Sequence, residues 1–119
     1  MRSIESLHNH TTLSDGKLSH RELFELAESL GVSVLAFTDH DAVPPPAILA
    51  ELEALRGRDT KWIIGIELTT DLQRELAPNS AAVHVIGLFV DPQNKALREH
   101  CARAQKSRVK RMRQIVEGL

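Results

Sequence analysis

Along the 119-residue chain the hydrophobic pattern changes period several times, from short continuous apolar runs to longer stretches repeating every 3.6 residues. That alternation is the mark of βα units. A first helix is predicted from the N-cap Ser19, with Glu22 placed as in a capping box, through a face of Leu23, Leu26, Ala27 and Leu30, to Gly31. Val32 to Phe37 is short, apolar and partly β-branched, as a buried strand is. Pro44-Pro45-Pro46 blocks a continuing helix but suits a first turn, which predicts a second helix from about Pro46 to Leu55, closed by Gly57. Apolar runs at 62–66 and 82–90 read as two further strands, with a polar loop over about 70–80 between them. A last helix is predicted from about Asn94 to Glu117, with Leu97, Cys101, Ala104, Met112 and Ile115 on one face and basic residues on the other. Helices or long loops join the strands, so the sheet is expected to be mostly parallel with right-handed crossovers.

With 42% hydrophobic and 26% charged residues, the composition is that of one globular domain. The chain has no apolar run of the roughly 18 residues a membrane span needs. Its start lacks the basic-then-apolar layout of a signal peptide, so a cytoplasmic location is expected. A single cysteine, Cys101, cannot form an internal disulfide and reads as a packed small hydrophobe. The net charge of -1 hides an asymmetry: residues 1–94 hold seven Lys/Arg against fourteen Asp/Glu, and residues 95–119 hold eight against two. Within the basic helix, at 95–113, Lys106, Arg108, Lys110, Arg111 and Arg113 suit either contact with a nucleic-acid backbone or a solvated face. Three Phe, one Trp and no Tyr argue against a surface that stacks bases.

The chemistry begins at Leu7-His8-Asn9-His10, where two imidazoles at i and i+2 of an extended chain point to the same side and can grip one ion. Asp15 follows in Ser14-Asp15-Gly16, a turn that can bend its carboxylate back to the same place. His40 and Glu67 fall at the C-terminal ends of the next two predicted strands, where ligands collect in parallel βα folds, and His84 lies in a further strand. Imidazole and carboxylate donors without thiolate suit manganese, iron or zinc. Six such side chains exceed what one catalytic ion takes from protein, so two or three ions are expected, with Glu67 a bridging carboxylate. Such a cluster makes hydroxide from bound water and neutralises a phosphoryl group, the chemistry of phosphate-ester hydrolysis. Asp39 and Asp41 flank His40 and can orient an imidazole or cap the following turn. Thr11 and Thr12 suit either a phosphate contact or the turn. His20 and His100 are expected on solvent-facing helix sides.

The segments His-Asn-His-Thr-Thr-Leu-Ser-Asp-Gly at 8–16, Thr-Asp-His-Asp at 38–41 and Gly-Ile-Glu-Leu-Thr at 65–69 resemble, in order and spacing, the first three motifs of the polymerase and histidinol phosphatase (PHP) superfamily. Val-His-Val-Ile-Gly-Leu at 83–88 is similar to a fourth. The resemblance implies a distorted (β/α)7 barrel holding up to three ions, usually manganese, iron or zinc. It implies that His8 and His10 bind one ion, that Glu67 bridges it to a second held by His84, and that Asp15 and His40 belong to a third. The likeness extends to bacterial phosphoesterases acting on nucleotides, on nucleoside 3′,5′-bisphosphates, or as 5′-to-3′ exoribonucleases on short RNA. A phosphorylated nucleotide or short oligonucleotide is thus the expected substrate. The alternatives are a small-molecule phosphatase of the histidinol phosphate type and a non-catalytic PHP module.

Two departures matter. Ser6 stands where relatives often carry an acidic residue. The family's late histidine and Asp-x-His pair have no match after His84, so residues 1–119 are expected to be the N-terminal portion of a PHP domain, with the C-terminal half absent. A closed barrel needs ~200 residues or more. The portion alone is expected to turn over little and to pair with another copy through an open sheet edge.

Overall fold

A computed structural model describes residues 3–70 and 83–118. The apolar runs form β1 (Glu5–Ser6), β2 (Val34–Phe37), β3 (Lys61–Thr70) and β4 (Val83–Leu88); the amphipathic stretches form α1 (His20–Ser29), α2 (Pro46–Glu53) and α3 (Lys95–Glu117). The strands lie in sequence order in one sheet. β1 and β2 pair in parallel, as do β2 and β3, but β4 returns antiparallel to β3, with Thr69 opposite His84 and Gly65 opposite Leu88. The α/β class and mostly parallel sheet agree with the expectation from the sequence. The polar loop expected over about 70–80 lies outside the described residues, except for Thr70, which ends β3.

Local chemistry sets the helix ends. The Glu22 amide donates to Ser19 Oγ at 3.2 Å and the Ser19 amide donates to Glu22 Oε1 at 3.0 Å, completing the capping box. Asn94 Oδ1 accepts from the Leu97 amide at 3.0 Å and caps α3. Gly31 and Gly57, beyond α1 and α2, take φ of +76° and +90°, angles that a side chain would oppose.

The core is a cluster of Phe24 and Ala27 from α1, Leu35 and Phe37 from β2, Leu52 and Leu55 from α2 and its end, and Trp62 and Ile64 from β3. One expectation is corrected here. Leu23, Leu26, Ala27 and Leu30 share a helical stripe, yet Leu26 is 45% exposed and Leu30 66%. The buried stripe is His20, Phe24 and Ala27. Both stripes satisfy the 3.6 period, and the one carrying the bulky ring wins because Phe24 removes more apolar area from water.

His20 is therefore not on the solvent side, as its polarity suggested. It is 3% exposed, its ring 4.9 Å from that of Phe37, and its Nε2 has no hydrogen-bond partner among the described residues. Burial lowers its pKa below the ordinary 6.5, although the charges of Asp39 and Glu51 work in the other direction. α3 differs from expectation too. Its predicted apolar face is covered only in its first half, where Cys101 is buried and Leu97 and Ala104 are half-buried; Met112 and Ile115 are exposed. Burial, reinforced by the charge of Asp41, pushes the Cys101 thiol up and keeps it an unreactive packing group.

Phe24→Ala should lower the unfolding free energy by about 3–5 kcal/mol and Leu26→Ala by under about 1 kcal/mol, compared by urea denaturation. The opposite order would put the leucine stripe in the core. His20 contributes a pH dependence whose sign follows from its lowered native pKa. Between that value and the unfolded value near 6.5, the unfolded chain binds more protons, so stability is full above pH about 6.5 and declines as the pH falls. In His20→Gln this part of the acid limb should flatten, as read by thermal melts across pH 5 to 8.

Candidate metal centre

Beyond Phe37, where β2 ends, the chain stays beside β3. The Glu67 amide donates to the Asp39 carbonyl at 3.0 Å and the Asp41 amide to the Glu67 carbonyl at 3.0 Å, which sets His40 directly opposite Glu67. On the other side of β2, Asn9 anchors the first segment: its amide donates to Thr38 Oγ1 at 2.9 Å and its Nδ2 to the Ala36 carbonyl at 3.0 Å. With Asn9 turned toward β2, the alternate residues His8 and His10 are directed to Glu67. Because β4 is antiparallel, His84 lies near its start, diagonal to Glu67, whose direct partner is Ile86.

The outcome is a buried carboxylate ringed by imidazoles. Glu67 Oε1 contacts His8 Nε2 and lies 3.0 Å from His10 Nε2; Oε2 lies 3.0 Å from His40 Nδ1 and 2.9 Å from His84 Nδ1. Asp15, largely exposed, closes the far side, with Oδ1 at 2.9 Å from His10 Nδ1 and Oδ2 at 3.1 Å from His40 Nε2. Burial disfavours the charge of Glu67, but hydrogen bonds from His8 and His10 and the positive character of His40 and His10 outweigh it, holding the carboxyl below its ordinary range.

All six residues singled out in the sequence thus converge. Their donor atoms fall into three overlapping sets, His8/His10/Glu67, His10/Asp15/His40 and His40/Glu67/His84, each with atoms within 4.8 Å of one another. Nitrogen and oxygen donors on a buried anion fit divalent transition ions. Shared members, with Glu67 in two sets and His10 and His40 each using both ring nitrogens, fit neighbouring ions better than one.

The flanking aspartates hold the frame. Neither reaches His40, whose two nitrogens face Glu67 and Asp15. Asp39, buried, accepts from the Thr11 amide at 2.6 Å, from Thr11 Oγ1 at 2.9 Å and from Ser14 Oγ at 2.7 Å, so it fixes the turn that presents Asp15. Thr11 is accordingly part of the turn and fully buried. Gly16 is required there, since a Cβ would stand 2.3 Å from the His10 carbonyl oxygen. Asp41, with φ of +44°, accepts from the Thr69 amide at 2.9 Å, from His100 Nε2 at 3.1 Å and from Arg108 Nη2 at 2.5 Å. Burial opposes its charge, but the Thr69, His100 and Arg108 contacts prevail and keep its carboxyl below the usual range. The solvent placement expected of His100 is thereby corrected: it is half-buried because α3 lies against Asp41.

A cavity of about 590 Å³ opens at the cluster, with Asp15, His40 and His84 on one side and Gln105 and Arg108 of α3 on the other. Gln105 was missed in the sequence, although its place one turn before Arg108 was the available signal.

An α/β sheet with imidazoles and carboxylates gathered beside its central strand defines a hydrolase-like metal-site scaffold. Residues 6–113 match the PHP domain model, and the chain belongs to the PHP domain family. It is 33% identical over 116 residues to the 5′-3′ exoribonuclease Rnm of Salmonella typhimurium, covering 98% of this chain and 38% of that protein. It is 32% identical over 113 residues to the 3′,5′-nucleoside bisphosphate phosphatase of Chromobacterium violaceum, covering 95% and 37%. A crystal structure from Bifidobacterium adolescentis, of a protein assigned to the metal-dependent phosphoesterases, superposes with a TM-score of 0.77 and 27% identity over 97% of this chain and 37% of that one. The chain therefore spans less than two-fifths of the length of these relatives. No helix of the described residues is long and apolar enough to cross a membrane.

Asp39→Ala leaves the Thr11 amide and hydroxyl buried without acceptors and should cost about 2–4 kcal/mol, whereas Asp15→Ala, at an exposed carboxylate, should change stability by under about 1 kcal/mol. Chemical denaturation of the two variants checks this, and equal effects would remove Asp39 from its framing role.

Proposed function

We propose that this chain forms part of a metal-dependent phosphoesterase that hydrolyses phosphate esters of nucleotides or short nucleic acids. The carrying observation is the Glu67 carboxylate between four imidazoles, with Asp15 completing three overlapping donor sets. The relatives point to the same chemistry, since an exoribonuclease and a nucleoside bisphosphate phosphatase both cleave phosphorus–oxygen ester bonds.

In this reading His8, His10 and Glu67 would hold one ion, Glu67, His40 and His84 a second, and His10, Asp15 and His40 a third. Manganese, iron or zinc bound there would supply a water of lowered pKa and positive charge for the phosphoryl oxygens. The protein's own part is positional. Glu67 keeps the imidazoles converged, Asp39 holds the turn bearing Asp15, and Asp41 seats α3 at the mouth of the cavity. Three protein donors to an ion would leave room for solvent or substrate, as a catalytic site requires. No protein general acid is assigned. A non-catalytic module would be free to lose donors, and this one retains six in contact.

Metal analysis of the full-length protein should find more than one transition ion per chain. The protein should release phosphate from a nucleoside 3′,5′-bisphosphate or process a 5′-phosphorylated oligonucleotide faster than it releases phosphate from histidinol phosphate. Glu67→Gln should lower both metal content and turnover by at least about 100-fold in affinity or rate, since even groups one bond removed from a metal cost 10–100-fold. A folded wild type with no bound metal and no turnover would refute the proposal.

A further inference from the structure

Among the described residues, His20 Nε2 is one of two buried side-chain polar atoms with no hydrogen-bond partner, and it lies beside the frame of the metal centre. His20 is the first residue of α1, 3% exposed, with its ring against that of Phe37. Its Nε2 stands 3.7 Å from Asp39 Oδ2, about 0.8 Å beyond an ordinary N–H···O bond. The acceptor has room for it. Asp39 Oδ1 takes the Thr11 amide and Ser14 Oγ, whereas Oδ2 takes Thr11 Oγ1 alone among the described residues, and a carboxylate oxygen has two lone pairs.

The neighbouring anion selects the ring tautomer that carries its proton on Nε2, since a bare lone pair there would meet negative charge. Burial lowers the pKa of the ring, against the charges of Asp39 and of Glu51 on α2, so at pH 8 His20 is a neutral donor. An unpaired donor in the interior lowers stability, and a leucine at this place would continue the Phe24 and Ala27 stripe without that cost. The packing of α1 alone therefore gives no reason for an imidazole.

The reason lies across Asp39. The Leu13 amide donates to Thr11 Oγ1 at 3.1 Å, and the Ser14 and Gly16 amides donate to the Thr11 carbonyl at 3.1 and 2.8 Å. The whole turn that presents Asp15 thus hangs from Thr11, and Thr11 hangs from the carboxylate that His20 faces. Resting on the metal-centre reading above, we infer that His20 is a positioning residue for the His10, Asp15 and His40 donor set, its Nε2–H steering Asp39 and thereby the turn that carries Asp15. A cation drawing on Asp15 pulls Ser14 and so Asp39, and a donor held just short of contact is placed to take up that movement. Neither of the other two donor sets includes Asp15 or another residue of the 11–16 turn, so the influence of His20 is confined to one ion of the cluster.

Calorimetric titration of the chelator-treated full-length protein with manganese at pH 8 tests this, with Asp15→Ala marking which binding step belongs to the Asp15 set. His20→Leu, of similar bulk but without an N–H, should weaken that same step by about 10-fold, the scale of groups that orient metal ligands. It should leave the other steps unchanged, and in chelator its Tm should equal or exceed that of the wild type. His20→Gln, whose amide nitrogen reaches about as far as Nε2, should stay close to the wild type in every step. Unchanged affinity in His20→Leu overturns the inference. So does a uniform weakening of all steps with a lower Tm, which is what a purely structural role gives, and so does an equal loss in His20→Gln. A wild type that takes up several ions but hydrolyses no ester loses the proposed reaction and keeps the inference, whereas a wild type that binds no manganese overturns both.

Discussion

A carboxylate removed from solvent must be compensated, and the Glu67 side chain, about 95% buried, is compensated by four imidazoles from three separate segments. The arrangement of the sheet around it follows from that need. The segment after β2 continues along β3 past the last regular pair, β4 doubles back so that its second residue rather than its last reaches the site, and Asn9 turns its own side chain away so that its neighbours can turn inward. Each is a local departure from regular strand pairing, and together the three bring four imidazole nitrogens to the same acid. An anion so placed is weakly justified by stability, because a buried pair returns little beyond its desolvation cost. It is well justified as a seat for cations.

The two aspartates beside His40 divide the remaining work between them. They are separated by one residue, and both are buried. Asp39 reaches the turn at Thr11 and Ser14, and Asp41 reaches β3 and α3. One short stretch, Asp39-His40-Asp41, therefore links a candidate ligand to two borders of the cavity. Rigidity of the site and stability of the fold are coupled through it, since the same hydrogen bonds that fix the N-terminal turn also satisfy buried backbone.

α3 shows where the fold and the function meet. Its first half is held by contacts to Asp41, whereas Val109, Met112, Ile115 and Val116 in its second half are more than half exposed. Arg108 falls between, at the mouth of the cluster. Membership of the PHP family and a TM-score of 0.77 to a solved relative place this sheet and helix in a known scaffold.

Much of this was readable along the chain. Capping residues, glycines and prolines act within a few positions of themselves, so α1, α2 and α3 began and ended near their expected places, and motif spacing singled out His8, His10, Asp15, His40, Glu67 and His84 before any coordinates. Periodicity had no power to choose between two stripes of α1 that obey it equally, or to tell that His20 and His100 turn inward. Those choices depend on which surface a helix meets, and that surface is built from residues far away in sequence. The pairing of Asp41 with Arg108, the turn of Asp39 toward Thr11 and the antiparallel return of β4 belong to the same class: only the packed structure, where distant groups compete for one buried position, decides them.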